Sequence, residues 1–225
     1  MRTMPAMIFA TMGVLLPMTL AWGEVPTAVV EDVKGTSAGV QFMDYVSTGK
    51  VIRLGPRDVI ILGYLKSCWR ETIIGGTVTV GAEQSEVQGG KVVRSRVKCS
   101  GGRMQLTAEQ AVQSAGVVSR SWGASVQTAT PEPQMILYGR VPIIELPGRG
   151  TLLVERIDQV EQRYRLVIGK PQLQRGMFFD FAKADLVLAA GGLYRATFAE
   201  SEIVFKVDPA ATAAAPVVAR LLRFY

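Results

Sequence analysis

The chain has 225 residues with 48% hydrophobic and 20% charged side chains, and its mean hydropathy is +0.24. That is too apolar for an intrinsically disordered protein, and the one long apolar run, at the N-terminus, is too little for a multi-span membrane protein. The sequence contains 0 His, which excludes Ser-His and Cys-His catalytic arrangements and His-ligated metal sites.

Residues 1–23 read as a secretory signal peptide: Arg2 supplies the positive start, an apolar stretch runs from Met4 to Leu20, and Ala21-Trp22-Gly23 places small residues before a cleavage site at Glu24. The expectation is a periplasmic or secreted protein. Export makes a disulfide the natural reading of the only 2 cysteines, Cys68 and Cys99. The loop between them is worth about 3.7 kcal/mol in the chain-entropy treatment. The net charge of +6 then points to envelope polymers, lipid headgroups or acidic proteins rather than nucleic acid.

Strand patterns dominate the chain beyond Glu24. Val25–Val33 ends at Gly35, Val51–Leu54 is expected to stop at Gly55-Pro56, and Val59–Leu62 is a separate apolar run before Gly63. Thr77–Val80 alternates after Gly75-Gly76, and Lys91–Cys99 alternates between Gly89-Gly90 and Gly101-Gly102. Short strands between glycines indicate a sandwich, barrel or β-helix. Thr107–Ser114 is a short helical candidate, capped by Thr107 with Gln110 three residues on, and Val117-Val118 reads as a further strand. Ser121–Pro133 reads as a linker, rich in Ser, Ala and Thr and closed by Pro131-Glu132-Pro133.

Beyond the linker, Met135–Tyr138, Thr151–Ile157, Tyr164–Ile168, Met177–Phe181, Leu186–Leu188, Tyr194–Phe198 and Ile203–Val207 are short strand-like runs, as a small Ig-like sandwich requires. Tyr194 fits either a core position or the corner tyrosine of such sandwiches. Pro209–Pro216 is expected to be a loop or short helix, and Val217–Phe224 a strand or the packing face of a helix.

Three features of residues 29–80 resemble the FecR-like domain of bacterial periplasmic proteins: Val29-Val30-x-x-Val33-x-Gly35, then Val46-x-x-Gly49-x-x-Ile52, then Val59-Ile60-Ile61-Leu62 followed by Gly75-Gly76-Thr77-Val78-Thr79-Val80. The resemblance covers about a quarter of the chain. It departs from the family where Cys68-Trp69-Arg70-Glu71 replaces a tight turn, and in having no inner-membrane helix ahead of the domain. It implies a periplasmic, β-rich interaction module. The expected organisation is therefore all-β: a disulfide-pinned FecR-like β-sandwich or β-helix domain over 24–120, the linker 121–133, and an Ig-like β-sandwich over 134–225.

The candidate site is a cationic stripe. In an alternating strand Arg94, Arg96 and Lys98 share one face at about 7 Å spacing, with Lys91 and Arg103 flanking them, while Val93, Val97 and Cys99 point to the core. Such a row suits a partner protein or the anionic groups of an envelope polymer or lipid headgroup. It equally suits a solvated sheet face. Trp69 beside Cys68 reads as packing, with a binding hot spot the alternative. Glu83 and Glu86, like Asp180 and Asp185, read as solvated loop carboxylates. No phosphate-binding loop, dinucleotide fingerprint or serine-hydrolase motif is present in the sequence. The expected function is non-enzymatic: protein interaction or scaffolding in the envelope, without cofactor or metal, with recognition of an anionic polymer or headgroup as the alternative.

Overall fold

The structure, a computed structural model, describes residues 25–101, 131–159 and 162–224. The expected signal peptide, the helix expected at Thr107–Ser114, the strand expected at Val117-Val118, Arg103 and all of the expected linker but Pro131–Pro133 lie outside those residues.

The protein is predominantly β. Residues 28–96 build the first sheet from β1 (Ala28–Lys34), β2 (Tyr45–Val46), β3 (Val51–Tyr64), β4 (Trp69–Thr79), β5 (Glu86–Gln88) and β6 (Lys91–Arg96). Its order is β2-β1-β3-β4, with β5 and β6 both on the far side of β4, and every pairing is antiparallel. In β3 the outward residues Val51 and Arg53 alternate with buried Ile52 and Leu54, the period-two pattern of a strand with one face on a core.

Gly55-Pro56 does not end this strand as the sequence suggests. Pairing with β4 resumes at Val59 after a bulge. The Asp58 carboxylate holds the bulge, accepting from Gly55 N–H at 3.0 Å and Ser37 N–H at 3.3 Å. Hydrogen bonds from Ser37 and Gly55 keep its carboxyl below the ordinary range. Opposite the bulge, Gly75 and Gly76 both have positive φ, and a Cβ on Gly76 would lie 2.4 Å from Gln88 O. On the next strand, a Cβ on Gly90 would lie 2.1 Å from Gly75 O. The interruptions of β3, β4 and β5–β6 thus sit side by side, and only glycine permits so close a backbone approach. Across this line the sheet turns on itself. Ile52, Leu54 and Val78 from one side share a core with Ile60, Leu62, Tyr64 and Ile73 from the other.

Residues 135–223 form two sheets. One has the order β10-β9-β13-β14-β7, from β7 (Met135–Gly139), β9 (Gly150–Arg156), β10 (Arg163–Ile168), β13 (Leu193–Phe198) and β14 (Ser201–Thr212). The other runs β11-β12-β8-β15, from β8 (Ile143–Glu145), β11 (Leu173–Gln174), β12 (Phe178–Asp180) and β15 (Leu221–Arg223). Leu152, Val154, Ala196 and Phe205 of the first close on Ile144, Phe179 and Leu222 of the second in one core. Two parallel pairings, β14 with β7 and β15 with β8, tie the two ends of this half together.

The structure corrects several expectations. Leu186–Leu188 is not a strand: Arg140 bonds both the N–H and the C=O of Leu188 and holds it outside the sheets. The Ala-rich segment is neither loop nor helix up to Thr212, because β14 continues through it to meet Gly139. Val217–Phe224 is both alternatives in succession, a single turn α1 (Val217–Arg220) and then β15. Strands β2, β5, β8 and β11 were not foreseen. Tyr194 is a core residue, buried against Phe205 with ring centroids 5.6 Å apart, and its hydroxyl accepts from Ala189 N–H at 2.8 Å.

The halves meet over Val29 and Met43 from one side and Ile143, Phe178, Val217 and Leu221 from the other. Glu31 lies beside this seam, 7% exposed. It is the extra residue where β1 shifts register. Its carboxylate accepts from Arg70 Nε at 2.6 Å within its own half and from Val218 N–H at 2.8 Å across the seam. Around the rim, Arg175 pairs with Asp44, and Glu145 takes both Tyr45 and Arg223.

Replacing Glu31 by Ala strands Arg70 and the Val218 N–H together. We expect a loss of about 2–4 kcal/mol, read by urea denaturation, with the two halves unfolding in separate transitions.

Candidate functional site

The basic residues of β6 are set by β4. Each β6 residue faces a β4 partner: Arg96 faces Trp69, Arg94 faces Glu71, Val92 faces Ile73, Val93 faces Thr72 and Lys91 faces Ile74. Glu71 and Ile73 are both 0% exposed, so the face carrying Val92, Arg94 and Arg96 is the inward one. This reverses the expected orientation. Val93, expected in the core, is 66% exposed. The strand ends at Arg96, so the direction of Cys99 carries no phase information back to Val93.

The stripe is accordingly divided. Arg94 Nε donates to Glu71 at 2.7 Å and its Nη2 to the Ser85 carbonyl at 2.6 Å. The Arg96 guanidinium lies 5.0 Å from the centre of the Trp69 ring. Lys98, beyond the strand, lies 5.8 Å over Tyr138 of the second half. Lys91 is exposed at the start of β6. Of these cations only Arg94 has a carboxylate partner among the described residues. The anchor past the strand is the Cys68–Cys99 disulfide, with Val97 N–H donating to Cys68 O at 3.0 Å. Trp69 packs against the first core, with Arg96 over its ring.

The sequence reading missed the polar cluster behind Arg94. Glu71 accepts the Ser85 N–H on both oxygens, each at 3.1 Å. The Ser85 and Tyr64 hydroxyls are bonded at 2.8 Å. Burial pushes the Tyr64 hydroxyl up to about 12, partly offset by the Ser85 hydrogen bond. The available signal was Glu71 two residues before Ile73 in a strand, an acid in phase with a core residue. Beside this cluster a cleft of about 490 Å³ opens at the sheet edge, lined by Thr79, Gln84, Ser85, Glu86, Val87, Val92 and Arg94 among others.

Glu83 and Glu86 are exposed, as is Asp185. Asp180 is not: it is 6% exposed and pairs with Arg220 at 2.9 Å while capping the turn at Ala182. Each of the buried carboxylates Glu31, Glu71 and Asp180 is thus paired to an arginine.

On the outer face of the first sheet, Val59 stands opposite Ile74, and Ile61, Thr72 and Val93 form the next row. Ile74 is 40% and Val93 66% exposed. This apolar patch reaches the β5–β6 edge, which among the described residues pairs only with β4. Comparison with known protein families, curated proteins and solved structures finds no match.

Arg94→Met leaves the Glu71 carboxylate buried without its cation. We expect a loss of about 2–3 kcal/mol, below the full cost of a broken buried pair because a third of Arg94 stays in water. Chemical denaturation of Arg94→Met beside Glu71→Gln/Arg94→Met checks this, the double variant regaining at least half. Tyr64 supplies an alkaline signature. Its folded hydroxyl keeps a proton that an unfolded tyrosine releases near 10, so this contribution is complete below pH 10 and declines as pH rises towards 12. Stability measured at pH 9 and pH 11.5 should fall less steeply in Tyr64→Phe than in the parent, by about 2 kcal/mol.

Proposed function

We propose that this chain is an exported, non-catalytic protein-interaction module of the cell envelope that takes its partner at the β5–β6 edge of the first sheet. The observation that carries this is the coincidence of a strand edge that pairs only with β4 among the described residues with the Val93–Ile74 apolar patch on the same sheet. An open edge presents unpaired backbone donors and acceptors, and an added strand satisfies them while neighbouring side chains supply selectivity. The rest of the structure supports a rigid presenting surface: the disulfide fixes the segment after β6, and the second half is packed against the first through the Glu31 seam.

A non-enzymatic reading is supported by the fate of the buried carboxylates. Glu31, Glu71 and Asp180 hold strands and halves together through their arginines. A FecR-like first half is supported by the β-rich, antiparallel build of residues 28–96. An Ig-like second half is supported by the two sheets closing on one core and by the hydrogen bond between the Tyr194 hydroxyl and Ala189. The polymer-binding reading loses ground because Arg94 is committed to Glu71 and Lys98 is turned to Tyr138.

A photo-cross-linking residue at Ser95 or, as a control, at Lys183 in intact cells tests the proposal. Ser95 should give a discrete protein adduct that Lys183 does not. Identical adducts from both positions, or salt-sensitive retention on envelope polymer with no protein adduct, would overturn it.

A further inference from the structure

The same edge carries information about what it selects, and the inference rests on the edge-docking reading of the proposed function. A strand added to β6 projects alternate side chains to opposite faces. On the inner side its residues lie beside Arg96, Arg94 and Val92, next to the cleft. On the outer side they lie beside Ser95, Val93 and Lys91, next to the exposed patch.

The two sides ask for different chemistry. On the inner side, Arg96 has no carboxylate partner among the described residues, and Arg94 has Nε and Nη2 engaged but Nη1 without a partner there. The cleft's own carboxylate, Glu86, belongs to β5, away from the Arg96 end. On the outer side, Val93 is 66% exposed and its neighbour Ile74 40%. We infer that the β6 edge receives an extended segment of a partner protein whose residues alternate, acidic on the cleft side and apolar on the outer side. Every pairing in the first sheet is antiparallel. In that direction the residues opposite Arg96, Ser95, Arg94 and Val93 read acidic, any, acidic, apolar along the partner chain. A second copy of this chain is a poor occupant, since β6 laid antiparallel on β6 with like faces matched brings Arg94 against Arg94 or Arg96 of the other copy in the registers centred on Arg94 or Ser95.

Fluorescence polarisation with the full chain tests this, using a labelled Thr-Thr-Glu-Thr-Glu-Val-Thr-Thr peptide. The scramble Thr-Thr-Glu-Glu-Thr-Val-Thr-Thr has the same composition, but only one of its acids shares the cleft side when Val faces outward. One lost charge-assisted contact corresponds to about tenfold in affinity. The alternating peptide should bind about tenfold more tightly than the scramble, and more tightly still than its double Glu→Gln form. Binding should be lost in Val93→Asp, a surface change that leaves the fold intact, and the advantage over the scramble should shrink in Arg96→Gln. Equal binding of all three peptides, abolished by Val93→Asp, overturns the alternation while leaving the edge as the docking place. Peptide binding indifferent to Val93→Asp, or no binding of any peptide, overturns the inference outright, and the Ser95 adduct then judges edge docking separately. Tighter retention on a sulfated polysaccharide, lost in Arg96→Gln, would reassign the cations to polymer recognition.

Discussion

The architecture turns on one carboxylate. Glu31 enters the interior because β1 inserts it as an extra residue between Val30 and Asp32. Removing a carboxylate from water costs several kcal/mol unless good partners replace the solvent. Arg70 supplies a charge from β4, two strands away in the sheet, and the backbone of α1 supplies an N–H from the other half. Satisfying one buried ion therefore fixes two relations together, the register of the first sheet and the seat of the second half upon it. Gly63 completes the arrangement by omission: a Cβ there would lie 2.6 Å from Glu31 Oε1 and 3.0 Å from Val218 Cβ.

The same economy recurs at Glu71 and Asp180. In each case an acid stands where the strand's phase calls for an apolar residue, and an arginine from an adjacent element answers it. Such pairs add little net stability over a packed apolar core, but they penalise any slip that would separate acid from base. In a sheet, where a one-residue slip exchanges inner and outer faces, that penalty matters most. The surface offered by β6 depends on it, because the pairing of Arg94 with Glu71 puts Val93 outside.

Much of this was legible in the sequence. The all-β character followed from Val-rich runs between glycines, and the Cys68–Cys99 bridge from the cysteine count in a chain with an export-like start. What the sequence concealed was continuity. Gly55-Pro56 and Gly75-Gly76 look like ends of strands, yet they are the points where long strands bend, because pairing with the adjacent strands resumes beyond the bend. The face of the candidate site was hidden for a related reason. Alternation gives two sets of residues but not which set is inward, and only the burial of Glu71 and Ile73 on β4 decides that for β6. The short strands β2, β5, β8 and β11 carry too few residues to show a period, and they exist because neighbouring strands supply their hydrogen bonds.

The Glu31–Val218 contact joins residues 187 positions apart, and that separation imposes an order on assembly. A chain is made from its N-terminus onward, so β1 through β6, whose pairings are between near neighbours in sequence, can close around their core while α1 is still to be made. In that interval Glu31 has Arg70 but not its second partner, and the apolar surface of Val29 and Met43 lies uncovered. The arrival of α1 and β15 completes the cover begun by Ile143 and Phe178 and satisfies the carboxylate in one event. A chain halted before residue 218 keeps a half-satisfied acid at its seam, so residues near 218 complete what β1 begins.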